Sequence, residues 1–175
     1  MDNKKIRKLN HLSGEDYYYM TYLLILCLNE FSAKKSRIFN DHRKLSYLIH
    51  IISSSSVVSI INANNESHIA NVRDRDLLYT SYTKGEFHTK DVYKLLLTME
   101  IKGYIEVVKT KSPEVLNVKI LNKNIPKDFF DKNIFEKELN NITELKKSLN
   151  RVSVIGLKTF VEKVYTNKGL RVWVQ

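Results

Sequence analysis

The chain has 175 residues, of which 43% are hydrophobic and 27% charged, and it carries a net charge of +10. That length fits one domain with at most a small appendage, and the hydrophobic share excludes a chain disordered beyond its ends. The single cysteine, Cys27, excludes an internal disulfide and a thiolate metal cluster. The positive surplus favours a polyanionic partner or an acidic protein surface. A composition rich in Lys, Asn and Ile accounts for the charge as readily.

Residues 1–12 hold Lys4, Lys5, Arg7 and Lys8 and read as a basic flexible tail. Ser13 is the expected N-cap of a first helix reaching about Phe31, with Glu15 and Asp16 in its first turn, where the helix dipole favours acids. Apolar residues occupy both sides of this helix, so it should be central and buried, with Cys27 behaving as a small hydrophobe. The longest apolar run, Tyr22 to Leu28, is far shorter than the ~20 residues of a bilayer span. No signal-peptide pattern precedes it, so the expected setting is cytoplasmic, without a membrane partner.

Ser32 to Lys44 is the densest basic stretch, with Lys34, Lys35, Arg37, Arg43 and Lys44 against Asp41 alone. Asp41 is the expected cap of a second helix, which carries Leu45, Leu48, Ile49 and Ile52 at helical spacing. Ser53 to Ser56 either breaks that helix or lets it run on to about Asn62, and residues 62–67 read as a loop. Residues 68–87 are ambiguous: a short helix followed by a strand, or one strand reaching a turn at Lys84-Gly85. There Asp74 and Asp76 alternate with Arg73 and Arg75, which suits a solvated charge cluster better than a metal-binding pair of acids.

Thr89 should cap the next helix. Val92, Leu95, Leu96 and Met99 trace its apolar stripe, and Gly103 can take the left-handed conformation that ends it. Tyr104 to Val108 and Val115 to Leu121 then read as two strands around a loop from Thr110 to Glu114 that contains Pro113. Helix, glycine and hairpin predict a mainly α chain with a small β-hairpin wing (α+β). The expected organisation is a winged helix-turn-helix core over 13–123 and a helical C-terminal extension over 124–175 that packs on it.

On the helix before the wing, Lys90, Lys94, Thr98 and Lys102 form one stripe. Arg, Asn and Gln, the usual bidentate readers of guanine and adenine, are absent from it, so the stripe offers phosphate attraction and not base reading. The wing carries Lys109, Lys111 and Lys119 against Glu106 and Glu114. Together with Lys34, Lys35 and Arg37 of the basic stretch, Lys90, Lys94, Lys102, Lys109 and Lys111 make up the candidate DNA-binding set. Tyr93, Leu97 and Ile101 lie beyond the main apolar stripe. Either the C-terminal helices cover them, or they are a docking face for another protein.

After a Pro-containing link, Phe135, Ile142 and Leu149 recur every seven residues with Leu139 and Leu145 beside them, predicting a helix over about 133–150. Ser153 should open a last helix bearing Val154, Leu157, Phe160, Val161 and Val164, which Asn167-Lys168-Gly169 stops. Leu170 to Val174 reads as a closing strand. The chain has no Gly-rich phosphate loop, no Cys-x-x-Cys and no His-x-x-x-His, and its five histidines are scattered. His50 sits in an apolar helix and reads as a satisfied, half-buried group. No nucleophile has a base beside it. The expectation is a non-enzyme with no catalytic residue, no metal, no cofactor and no small-molecule partner.

Leu96 to Ile105 (Leu-x-x-Met-Glu-x-Lys-Gly-Tyr-Ile) is similar to the helix-to-wing junction of bacterial winged-helix proteins. Taken with Arg43 to Ile52 (RKLSYLIHII), Leu95 to Val107 and the aromatic, glycine-containing end from Tyr165 to Trp173, the layout resembles the small middle components of bacterial ABC-three-component defence systems, the class that includes Lamassu. The resemblance implies an antiphage accessory subunit without catalytic residues. It would link an SMC-like coiled-coil ATPase to an effector nuclease and touch DNA non-specifically. The alternative is a free-standing winged-helix transcriptional regulator, dimeric on an operator.

Overall fold

The computed structural model describes residues 3–32, 38–63, 68–130 and 134–173, with side chains from Tyr17 onward, Lys127 excepted. The chain is mainly helical and carries a small antiparallel sheet. Helix α1 spans Asn3–Phe31. It therefore begins well before Ser13, which sits inside it, and the stretch expected as a tail is helical from Asn3. Leu23 to Leu28 are all buried, as their unbroken apolar run requires, whereas Tyr17, Tyr18, Tyr19 and Tyr22 stay exposed. The expected burial thus holds from Met20 onward, Tyr22 excepted. Cys27 lies in that buried run, and burial pushes its thiol well above the usual range.

Strand β1 is the two-residue Ile38–Phe39. A corner follows at Asp41, whose φ of +58° is left-handed, a conformation that Asp tolerates better than most residues. The Asp41 carboxylate accepts from Arg43 Nε at 2.9 Å and Nη2 at 3.0 Å, and from the backbone N–H of Leu157 at 3.2 Å. Burial opposes its ionisation. The Arg43 hydrogen bonds and charge, together with the backbone N–H groups of Leu157 and Arg43, outweigh that and hold Asp41 below the usual carboxylate range. Helix α2, Lys44–Ile52, has Arg43 at its N-cap position with no side-chain cap. Asp41 Oδ1 accepts the N–H of Arg43 at 3.3 Å just ahead of this helix, and Oδ2 accepts that of Leu157, the first residue of a helix far down the chain, so the residue expected to cap the second helix serves two helix starts.

Helix α3, Ser55–Ala63, turns 104° from α2. The serine run makes that break: Ser53 N–H bonds Ile49 O, Ser54 N–H bonds Ile51 O, and Ser54 Oγ accepts from Val57 N–H. These bonds satisfy groups that a helix end leaves orphaned. No single helix among the described residues is long and apolar enough to cross a membrane.

Helix α4, Val72–Phe87, occupies the stretch that was ambiguous in sequence. Asn71 caps it, accepting from Arg73 N–H at 2.9 Å and Asp74 N–H at 3.4 Å. The turn expected at Lys84-Gly85 does not form, and neither does a strand. Gly85 is there for proximity: a Cβ on it would fall inside the ring of Tyr47 on α2. Helix α5, Thr89–Ile101, follows after one residue, with His88 at the cap position and no side-chain cap bond. Thr89, the expected cap, donates its hydroxyl back to Gly85 O at 3.1 Å.

Gly103 ends α5 with φ +74°, as expected, while Tyr104 N–H bonds Met99 O at 2.9 Å. Strands β2, Ile105–Lys109, and β3, Leu116–Ile120, form the hairpin, with Val107 opposite Val118. Strand β1 adds to the far side of β3, giving the order β1-β3-β2. This third strand lies in the stretch read as a basic connector.

Helix α6, Glu136–Ser148, and helix α7, Leu157–Val164, complete the set. Helix α7 opens after Gly156 and not at Ser153, and Val154 lies exposed outside it. Gly169, with φ +88°, ends the turn that follows. Residues 170–173 form no strand, contrary to expectation. Phe160, Val161, Val164 and Tyr165 join the same core as Leu24, Leu48 and Leu96. Buried polar groups tie this C-terminal part inward. Asn141 Nδ2 donates to Ile52 O at 2.7 Å, Lys168 Nζ to Ile61 O at 3.0 Å, and Lys44 Nζ to Val152 O at 2.6 Å and to Ile155 O. The first two acceptors are late carbonyls of α2 and α3, which have no partner within their own helices.

Candidate partner and nucleic-acid interface

Helix α5 is held from behind. Val92, Leu96 and Met99 are buried and Leu95 packs against the core. Its two ends are latched: the Tyr17 hydroxyl donates to Asp91 Oδ1 at 3.2 Å, and Glu100 Oε1 accepts from Val107 N–H at 2.9 Å. The first latch ties α5 to α1 and the second ties it to the hairpin, so the outer face of α5 and the hairpin lie side by side.

At 100° per residue, Lys90, Leu97 and Ile101 point almost opposite to Val92, Leu96 and Met99, and Tyr93, Lys94, Thr98 and Lys102 flank them. Tyr93 is 41% exposed, Leu97 36% and Ile101 87%. The C-terminal helices do not cover this face: α6 packs on α1, α2 and α3. The apolar trio and the lysine stripe are therefore one surface. The Tyr93 ring lies 5.7 Å from the His42 ring.

Lys90, Lys94 and Lys102 are all exposed, as are Lys109 at the end of β2 and Lys111 in the loop. Among the described residues none of the five makes an ion pair. Lys119 differs: it pairs with Glu106 across the hairpin at 2.9 Å. The hairpin's uncompensated charge therefore sits at its loop end, where the Thr110 hydroxyl accepts from Ser112 N–H and donates to Val115 O. Lys34, Lys35 and Arg37 lie outside the described residues. Beside Lys90 a cleft of about 660 Å³ opens between the helix and the hairpin loop. Its lining holds Arg43 and Lys90 together with Glu86 and Glu114, so the cleft carries charges of both signs.

Two groupings escaped the sequence. His50 Nε2 lies 2.8 Å from His88 Nδ1, and burial, then the neighbouring His88 and Lys84, push His50 down to about 4. The two lie on α2 and at the α4–α5 junction, and no local spacing signals their meeting. Among the described residues no cluster of three or more His, Cys, Asp or Glu is placed to hold a metal. The second grouping is aromatic: Tyr22 stands 5.4 Å from Phe129 and 5.6 Å from Phe135, which closes the Pro-containing link onto α1. Comparisons with protein-family models, curated proteins and solved structures find no match.

Proposed function

We propose that this chain is a non-catalytic accessory subunit of an SMC-like ATPase antiphage defence complex. It links the ATPase to an effector nuclease and touches DNA without reading its sequence. One observation carries the reading: the outward face of α5 interleaves three exposed apolar side chains with lysines that make no ion pair among the described residues. Apolar side chains set among cations suit a protein surface with acidic edges. A helix meant to lie in a major groove would present side chains that pair with base edges, and the polar chemistry of this face is lysine and one threonine. In this reading α5, Gly103 and the hairpin form a winged helix. The strand order β1-β3-β2 supports that assignment, with α2 and α3 as additional helices before it.

The test is DNA affinity across salt together with assembly. The purified chain should bind duplexes of defined and scrambled sequence equally, and weaken steeply with salt. Each of Lys90→Ala, Lys94→Ala and Lys102→Ala should lower the salt slope by about one and leave sequence indifference intact. Ile101→Asp should abolish copurification with the coiled-coil ATPase of the native host while leaving DNA binding in place. If Lys90→Ala or Lys94→Ala alone erases a preference for one duplex, the accessory reading fails and an operator-binding regulator takes its place.

A further inference from the structure

The outer face of α4 carries a surface that this reading does not use. Val72, Arg75, Asp76 and Tyr79 recur at i, i+3, i+4 and i+7, which places them on one side of the helix. They form one wall of a cleft of about 680 Å³, and His68 and residues 169–171 form the other. That size falls within the roughly 300–1,000 Å³ usual for small-molecule sites. The second wall is built in. Leu170 is buried with its N–H on Tyr165 O at 3.2 Å, and the Tyr82 hydroxyl donates to Trp173 O from the next turn of α4.

The chemistry in the cleft is mixed in a particular way. Among the described residues the guanidinium groups of Arg75 and Arg171 make neither an ion pair nor a hydrogen bond. Val72 and Tyr79 remain 67% and 46% exposed. Two unpaired guanidinium forks match phosphate oxygens bidentately. An exposed phenol ring offers a stacking face for a base. One carboxylate, Asp76, can accept from a sugar hydroxyl or a ring amine. An acidic peptide would use the arginines but would leave the aromatic wall and the acceptor without partners.

We propose that this cleft binds a nucleoside phosphate, with the phosphates held by Arg75 and Arg171 and the base laid on Tyr79. This departs from the expectation of no small-molecule partner, and it does not depend on the accessory-subunit reading. Either a free nucleotide or the phosphorylated end of a single strand can supply the chemistry, and the test separates them.

The full chain is titrated by calorimetry with ATP, with sodium pyrophosphate and with a 5′-phosphorylated hexathymidylate. Emission of Trp173, the only tryptophan and 73% exposed two residues from Arg171, gives a second readout. Saturable binding of ATP or of the oligonucleotide is expected, and the tighter of the two names the source. Arg75→Gln and Arg171→Gln should each weaken it by about tenfold or more. Tyr79→Ala should weaken the nucleotide but not pyrophosphate. Arg75→Lys and Arg171→Lys keep the charge and lose the fork, so they should fall between parent and glutamine variants. They also serve if a glutamine variant melts early. No saturation with either ligand by about 5 mM overturns the proposal. So does parental binding by the arginine variants, or an equal loss of pyrophosphate and nucleotide in Tyr79→Ala.

Discussion

Lys44 sits fully buried with its ammonium on two carbonyls and over the Phe39 ring at 4.7 Å. Burial pushes it down from 10.5 to about 8, offset only in part by the charge of Asp41. The folded value lies below the unfolded one, so between about pH 8 and 10.5 the unfolded chain keeps a proton that the folded chain has released, and this group's contribution to stability rises with pH. Burial raises Cys27 above 9 and Tyr47 and Tyr165 above 10, and these groups act in the opposite sense over the same range. The lysine is therefore read as a difference: in urea unfolding, the stability of the parent minus that of Lys44→Met should grow by roughly 2 kcal/mol from pH 8 to 10. Lys44→Met should be less stable at neutral pH, because two carbonyls lose their donor. A parental pH profile in that variant would refute the assignment. Nothing in the sequence marks Lys44 as different from its neighbour Arg43, because its acceptors lie more than a hundred residues away. Cys27 and Gly103 were legible, since the apolar run around one and the helix-to-strand change at the other are local signals.

Helix α4 shows where local patterning fails. Its Tyr, Thr and Gly residues argue against a helix, and its helical apolar signal is weak because much of the helix is exposed. What holds it is Asn71 at one end and contact with α2 at the other. Gly85→Ala tests this. On propensity alone alanine would stabilise an exposed helix by about 1 kcal/mol. Here its methyl group would fall inside the Tyr47 ring, and we expect a net loss of about 1–3 kcal/mol in urea unfolding. A gain in stability would mean that α2 and α4 do not pack this closely. Strand β1 escaped the sequence because two residues carry no period. The β-prone residues of the closing segment suit a strand, but residues 170–173 pair with no strand among the described residues. On α5 the inward stripe was legible and the outward trio was named. Whether other helices covered that trio depended on where α6 would pack, which only the tertiary structure decides.

Over the whole molecule, the division at residue 123 is crossed by the bonds that matter most. Asn141 and Lys168 serve carbonyls of α2 and α3, Asp41 receives the first N–H of α7, and Lys44 reaches Val152. Cutting there would strand buried polar groups on both sides and remove Phe160, Val161 and Tyr165 from the core. A chain of residues 1–123 should therefore lack a cooperative unfolding transition by circular dichroism. A sharp transition would make the C-terminal helices an appendage after all. Element types were largely legible because amphipathic periods are local, but the way the two halves interlock was not, since it rests on single side chains meeting distant carbonyls.

The placement of Asn141 and Lys168 bears on synthesis. Translation delivers the amino end first, so Leu23 to Leu28 and both bent helices emerge from the ribosome long before the side chains that complete them. Until position 168 clears the exit tunnel, the nascent polypeptide holds greasy helices with uncapped ends. Over that interval its apolar surface stands uncovered, which is the condition that favours aggregation.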